Sequence, residues 1–211
     1  LQRIYENQYG KDASLGDQWF EICSEIFRQK KYKLLIPELV RLVQVYPAFS
    51  QSDELNYMLG VSNYHVKDFT NSVKYLKNIN PSSNFSKHSL WILALIYEEQ
   101  KKLDLAVDQL VDLKANLSFQ DTLTIEVHDK LKHIYIQQRK FELLDKLWND
   151  VELADSTRSK WAFEIGQSVQ ENQDLPLAIK WFERAVLFSL HELGARASLG
   201  IAKCKSIQKD W

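Results

Sequence analysis

Residues 90–113 read LWILALIYEEQKKLDLAVDQLVDL, residues 161–186 read WAFEIGQSVQENQDLPLAIKWFERAV, and each is a pair of amphipathic runs hinged at a polar corner. Apolar residues recur at three- and four-residue intervals on both sides of the corner, the period of a helix with one buried face. In the first stretch Ala94 lets two helices approach closely and Tyr97 fills the space between them. Leu103 and Ala106 then open the second run. Gly166, Leu175, Ala178, Phe182 and Ala185 take the equivalent places in the other stretch.

The same layout continues on either side. Residues 55–81, LNYMLGVSNYHVKDFTNSVKYLKNINP, carry Gly60, Phe69 and Pro81; residues 19–47, WFEICSEIFRQKKYKLLIPELVRLVQVYP, form an earlier copy. A fourth copy from about residue 125 is degenerate, with Lys132 where a small residue is expected and Leu144 where Ala is usual. The corner residues Tyr32, Phe69, Leu103, Phe141 and Leu175 are spaced by 37, 34, 38 and 34 residues. A period near 34 with helix–turn–helix units resembles the tetratricopeptide repeat (TPR) superfamily over residues 16–200, most strongly over 53–113 and 159–189. Two junctions, VYPAFSQSDELNYMLG and NPSSNFSKHSLWILALIY, resemble the bacterial envelope members, such as outer-membrane assembly lipoproteins and periplasmic coordinators of the Tol system. The lipoprotein cysteine of some of those proteins has no counterpart near Leu1.

The expected fold is all-α, a right-handed α-α superhelix (TPR-like solenoid) of about five helix pairs plus a closing helix. Residues 1–14 form an N-terminal segment with a partial helix, and 15–211 a single solenoid domain with repeats near 16–47, 53–81, 87–115, 121–152 and 158–189. The expected helices are 15–30 with 32–46, 53–66 with 69–79, 87–100 with 103–115, 121–138 with 141–152, and 158–172 with 175–189. A closing helix over 191–208 covers the last apolar face. Pro47 and Pro81 follow helix ends, where a missing N–H costs little. Asp53, Ser86 and Asp121 are the expected N-caps. Pro176 falls in a first helical turn, near its tolerated place. Pro37 predicts an irregular turn.

Composition narrows the function. The 211 residues are 45% hydrophobic, 12% aromatic and 26% charged, with only 6 Gly and 4 Pro, which disfavours both turn-rich β architectures and disorder. A net charge of -1, from 27 basic and 28 acidic residues, lacks the basic excess of a nucleic-acid or anionic-membrane binder. The pairs Lys30-Lys31 and Lys101-Lys102 are too short for a basic stripe and read as solvated corners. Cys23 and Cys204 lie in apolar-periodic runs and read as buried thiols, not a disulfide framework. No run of 18 apolar residues predicts a membrane span. A chain that begins at Leu1 reads as mature or trimmed, so the missing targeting segment leaves export open. The envelope resemblance implies the periplasm or the outer-membrane surface, within a membrane-associated complex; the cytoplasm is the alternative.

Catalytic and metal signatures are missing: no HExxH, CxxC, GxSxG, phosphate-cradling Gly loop or calcium loop occurs. His128 and His133 are five apart, off the shared face that i,i+4 ligands need. Asp108 and Asp112 share a helix face, yet read as solvating the outside of a second helix. Cys23 falls at a repeat place that expects a small buried side chain. No catalytic residue, metal ligand or cofactor is expected, and the chain reads as a non-enzyme.

What the TPR resemblance implies instead is a partner protein or peptide held on the concave face formed by the first helices. Carried over by the repeat alignment, that surface consists of Phe20, Phe27, Tyr57, Val61, Tyr64, Trp91 and Leu95 in the N-terminal half. Asp129, His133, Ile136, Gln167, Gln170 and Glu171 supply the C-terminal half. The groove is thus aromatic at one end and polar at the other, with anchors for desolvation and polar groups for register. About half of those aromatics are expected to be mostly buried between repeats. Members that clamp a terminal carboxylate do so with cations on the inner helices, and no convergent cationic pair occurs at those places here. Trp19, Trp148, Trp161 and Trp181 read as packing residues. The expected function is a protein-binding scaffold or adaptor. A structural segment binding through its convex face or ends is the second reading, and a helical-repeat enzyme the third.

Overall fold

The computed structural model describes residues 13–118, 121–150, 154–189 and 191–209, which form eleven α-helices and no strand. The expected partial helix in residues 1–14 lies almost wholly outside the described residues. The helices are α1 (Ala13–Arg28), α2 (Tyr32–Val45), α3 (Asp53–His65), α4 (Phe69–Leu76), α5 (Ser86–Glu99) and α6 (Leu103–Ala115). They continue as α7 (Leu123–Gln137), α8 (Phe141–Asp150), α9 (Asp155–Glu171), α10 (Leu175–Leu187) and α11 (Glu192–Lys209). A 3-10 turn, Pro47–Gln51, links α2 to α3. The chain groups into two compact units, 1–127 and 128–211, divided within α7.

Each pair is joined by the same backbone corner. Lys30, Lys67, Lys101, Arg139 and Gln173 have left-handed φ values of 57°, 67°, 60°, 57° and 66°, at the 37-, 34-, 38- and 34-residue spacing of the sequence. In every corner the next residue's N–H returns to a carbonyl five residues back: Lys31 to Ile26, Asp68 to Asn63, Lys102 to Tyr97, Lys140 to Tyr135 and Asp174 to Val169. These are Schellman closures, which satisfy carbonyls that a helix end otherwise orphans. No glycine occupies the strained place, so each corner carries a conformational cost that packing offsets.

Small residues set the helix crossings. A side chain added at Gly60 would strike Leu76 of α4, and a Cβ at Gly166 would lie 2.8 Å from the Phe182 ring of α10. The other edge of that ring meets Gly200 of α11, again at 2.8 Å from a built Cβ. Phe182 is therefore wedged between α9 and α11, and α11 packs along α10 as the expected closing helix. Ala94, Ala106, Ala178 and Ala185 are buried at equivalent crossings. In the first unit one core cluster joins Cys23, Leu35, Leu39, Leu42, Leu55, Met58 and Leu59.

The caps differ from expectation. Ser52, not Asp53, caps α3 by accepting the Leu55 N–H at 3.2 Å; Asp53 accepts instead from Asn80 N–H at 3.0 Å, tying the helix start to a later connection. Ser86 is already helical, and Phe85 holds the cap place without a side-chain acceptor. Asp121 sits before α7 and accepts from the Ser118 N–H at 2.7 Å and from Lys87 at 3.1 Å. At the start of α3 the acidic side chain thus ties a later connection to the helix rather than capping it. Helix α4 stops at Leu76, short of residue 79, although Ile79 is still buried.

Candidate partner-binding surface

In the N-terminal unit the first-helix aromatics form linked rings. Phe20 packs at 5.4 Å on Phe49, which turns its ring toward Tyr46. Phe27 meets the edges of Tyr32 and Tyr57 at 6.0 and 6.2 Å, and Tyr57 stacks on Phe85 at 5.0 Å. Burial pushes the Tyr57 phenol up. Tyr64 packs on Phe69 at 6.2 Å, with the Lys67 ammonium 5.5 Å above its ring. Phe20 and Phe27 also rest on the core cluster. Phe20, Phe27, Tyr57 and Tyr64 are all only half-buried, so each offers an edge and not a whole face.

Val61 departs from expectation: at 6% exposure it belongs to the core and presents nothing to a partner. Helix α3 is buried on most of its circumference, from Leu55 to Asn63, because its neighbours on both sides press against it. Trp91 and Leu95, one turn apart on α5, are half-buried, and no ring contact to Trp91 exists among the described residues. Phe49 and Phe85 were missed by sequence reasoning. Both lie in connections rich in Ser, Pro and Asn, where a lone aromatic just before a helix start was the available signal.

The C-terminal unit is polar on its first helices. His133 and Gln167 are exposed, and Gln170, Asp129 and Ile136 are half-buried. His133 Nδ1 lies 2.7 Å from the Asp129 carbonyl oxygen and 3.3 Å from its carboxylate. Lys132, the misfit in the repeat pattern, is 1% exposed. Its ammonium donates to Glu164 at 2.6 Å, pairs with Asp129 at 2.8 Å, and sits 4.9 Å from the centre of the Trp161 ring. A long cation thus fills a small-residue place because two carboxylates and an indole face receive it.

Trp148, Trp161 and Trp181 are buried, in keeping with packing roles, and Trp19 rests half-buried on the first core. Arg184 lies over the Trp181 ring at 4.3 Å and pairs with Asp145. Partial burial works against the Asp145 charge, but Arg184 and Lys180 outweigh it and hold the carboxyl below its usual range. Burial pushes the Cys23 thiol up to about 12 and raises Cys204 as well, which leaves both thiols protonated and unreactive near neutral pH. Among the described residues no group of three His, Cys, Asp or Glu side chains converges as metal ligands would. None of their helices is long and apolar enough to cross a membrane.

No protein-family model and no curated protein matches the sequence. Solved structures do match. The C-terminal part of a TPR repeat-containing protein from Cytophaga hutchinsonii superposes with a TM-score of 0.57 at 15% identity, over 90% of this chain and 72% of that one. Repeats of a putative kinesin light chain from Podosopora anserina give 0.54 at 14% identity, over 84% and 96%. PilF of Pseudomonas aeruginosa gives 0.50 at 14% identity, over 92% and 85%. At such identities the likeness carries the fold alone, and that fold is the TPR-like helical solenoid.

Proposed function

We propose that this chain is a non-catalytic scaffold that holds a partner protein or peptide on the first-helix face of its N-terminal unit. The observation that carries the reading is the half-buried pair Trp91 and Leu95 on α5, near a set of first-helix aromatics whose edges remain accessible. Rings already fixed against Phe49 and Phe85 lose little freedom when a partner covers them, so desolvation converts efficiently into affinity. The ligand that suits such a face is an extended or helical segment with apolar anchors. His133, Gln167 and Gln170 form a separate polar surface in the C-terminal unit, suited to hydrogen bonding.

The test is affinity capture from the native cells, with identification of the co-purifying chains, using wild type and a Trp91→Ala/Tyr64→Ala variant. The reading predicts that the variant keeps its helical circular dichroism and loses the captured chain. Unchanged capture by a folded variant would sink it. An envelope setting, suggested by the resemblance of the two Pro- and Ser-containing junctions, is part of the proposal; fractionation of the native protein into the cytoplasm alone would remove that part.

A further inference from the structure

The corner between α1 and α2 faces the end of α3 across an open cavity of about 430 Å³, lined by Lys30, Lys31, Tyr32, Lys33, Leu34, His65 and Val66. No carboxylate lines it. Among the described residues Lys30, Lys31 and Lys33 have no ion pair, whereas the nearby Lys67 is already bound by Glu99 at 2.9 Å. Tyr32 and His65 close one wall as a parallel stack, with centroids 4.2 Å apart and planes 4° apart. Helix α2 also starts here without a side-chain cap or an acidic residue in its first turn, and its Tyr32 and Lys33 amides have no acceptor among the described residues. The other four second helices each carry a carboxylate at their start, Asp68 and Asp174 as caps and Asp104 and Glu142 within the first turn.

We propose that this cavity binds a phosphate monoester, whose dianion bridges the ammonium groups of Lys30, Lys31 and Lys33 and the open amides of α2. Three unpaired ammoniums gathered over four residues match the charge of a phosphate and exceed what one carboxylate can neutralise. Free backbone N–H groups at the helix start add directed donors and a favourable dipole. The left-handed φ of Lys30 turns the chain so that residues on both sides of the corner line one cavity. His65 is disfavoured as a cation, by desolvation first and then by Lys30 and Lys67, and a bound dianion would offset the repulsion from the two lysines. The monoester comes either from a phosphorylated side chain of a protein or from a small phosphorylated molecule. This site adjoins the first-helix face, since Tyr32 meets Phe27 at 6.0 Å and His65 meets Tyr64 at 5.4 Å, but its three lysines take no part in that face, so its failure would leave that reading untouched.

The experiment is a titration of the isotope-labelled full chain, followed by NMR. The probes are inorganic phosphate, a phosphoserine hexapeptide, and the same hexapeptide unphosphorylated. Saturable shifts at the Tyr32 and Lys33 amides and the His65 ring are expected with the phosphopeptide, and none with its unphosphorylated form. Phosphopeptide binding tighter than inorganic phosphate assigns the source to a protein side chain; the reverse order assigns it to a small molecule. A Lys30→Asn/Lys33→Gln variant, which keeps a residue tolerant of positive φ, should weaken binding at least about tenfold. Lys101→Gln/Lys102→Gln, at a corner whose helix already carries Asp104, should leave it unchanged. Equal shifts at both corners, non-saturable shifts, or binding indifferent to the Lys30/Lys33 variant would each overturn the proposal.

Discussion

Replacing Gly166 by Ala sets local preference directly against packing. Helix propensity alone favours the substitution by about 1 kcal/mol, since glycine is the poorer residue in a helix interior. The structure opposes it. The new Cβ would fall 2.8, 2.9 and 3.2 Å from three carbons of the Phe182 ring. That ring is 1% exposed and cannot retreat, because Gly200 of α11 already presses its other edge. Overpacking of this kind costs about 1–3 kcal/mol. The expected net is a loss of up to about 2 kcal/mol, or up to roughly 4–8 °C in Tm for a chain of this length. Thermal and urea unfolding followed by circular dichroism would measure it. Phe182→Leu in the Gly166→Ala background should recover part of the loss, since it clears the ring carbons concerned. A rise in Tm for Gly166→Ala alone would refute the argument, because propensity would then outweigh the wedge.

Lys101→Gly should stabilise by about 0.5–1 kcal/mol, since a left-handed residue other than glycine costs about 1–2 kcal/mol and glycine's unfolded-state entropy returns part of that. Urea midpoints would show it, and a loss of stability would mean that the Lys101 side chain makes a contribution of its own. Asp145 has a depressed folded pKa, so its stabilising effect is present above its unfolded value and lost as pH falls through the folded one. Asp145→Asn should therefore flatten the acid limb of the stability–pH curve, and an unchanged limb would count against the Arg184 pairing. Lys132→Met, which keeps the bulk beside Trp161, should cost less than Lys132→Ala by about 1–2 kcal/mol, because only the alanine leaves a cavity. Cys23, with its thiol pushed up to about 12, should resist alkylation at pH 8 until the chain unfolds.

Much of the architecture was legible because its determinants are local. A small residue such as Gly60 or Gly166, a polar corner, and an apolar second run repeat within about 30 residues, and each acts through the neighbouring helix. The corners were legible for the same reason, although their uniform left-handed φ at non-glycine residues was not. What escaped depends on distant partners. Lys132 reads as a defect until Glu164, 32 residues on, receives its ammonium. Asp53 reads as a cap until the amide of Asn80 claims its carboxylate. Phe20 and Tyr57 read as open anchors until Phe49 and Phe85 from the connections cover one side of each. Val61 was placed on the surface by repeat position alone, and packing on α3 buries it. Which of those side chains stay exposed was therefore not legible residue by residue.

The central claim is that a protein partner is held by the first helices of the N-terminal unit. Hydrogen–deuterium exchange of the chain with and without its captured partner tests this most directly. The account predicts new protection in peptides covering Tyr64 on α3 and Trp91–Leu95 on α5. Protection confined to the second helices α2, α4 and α6, with α3 and α5 unchanged, would contradict it.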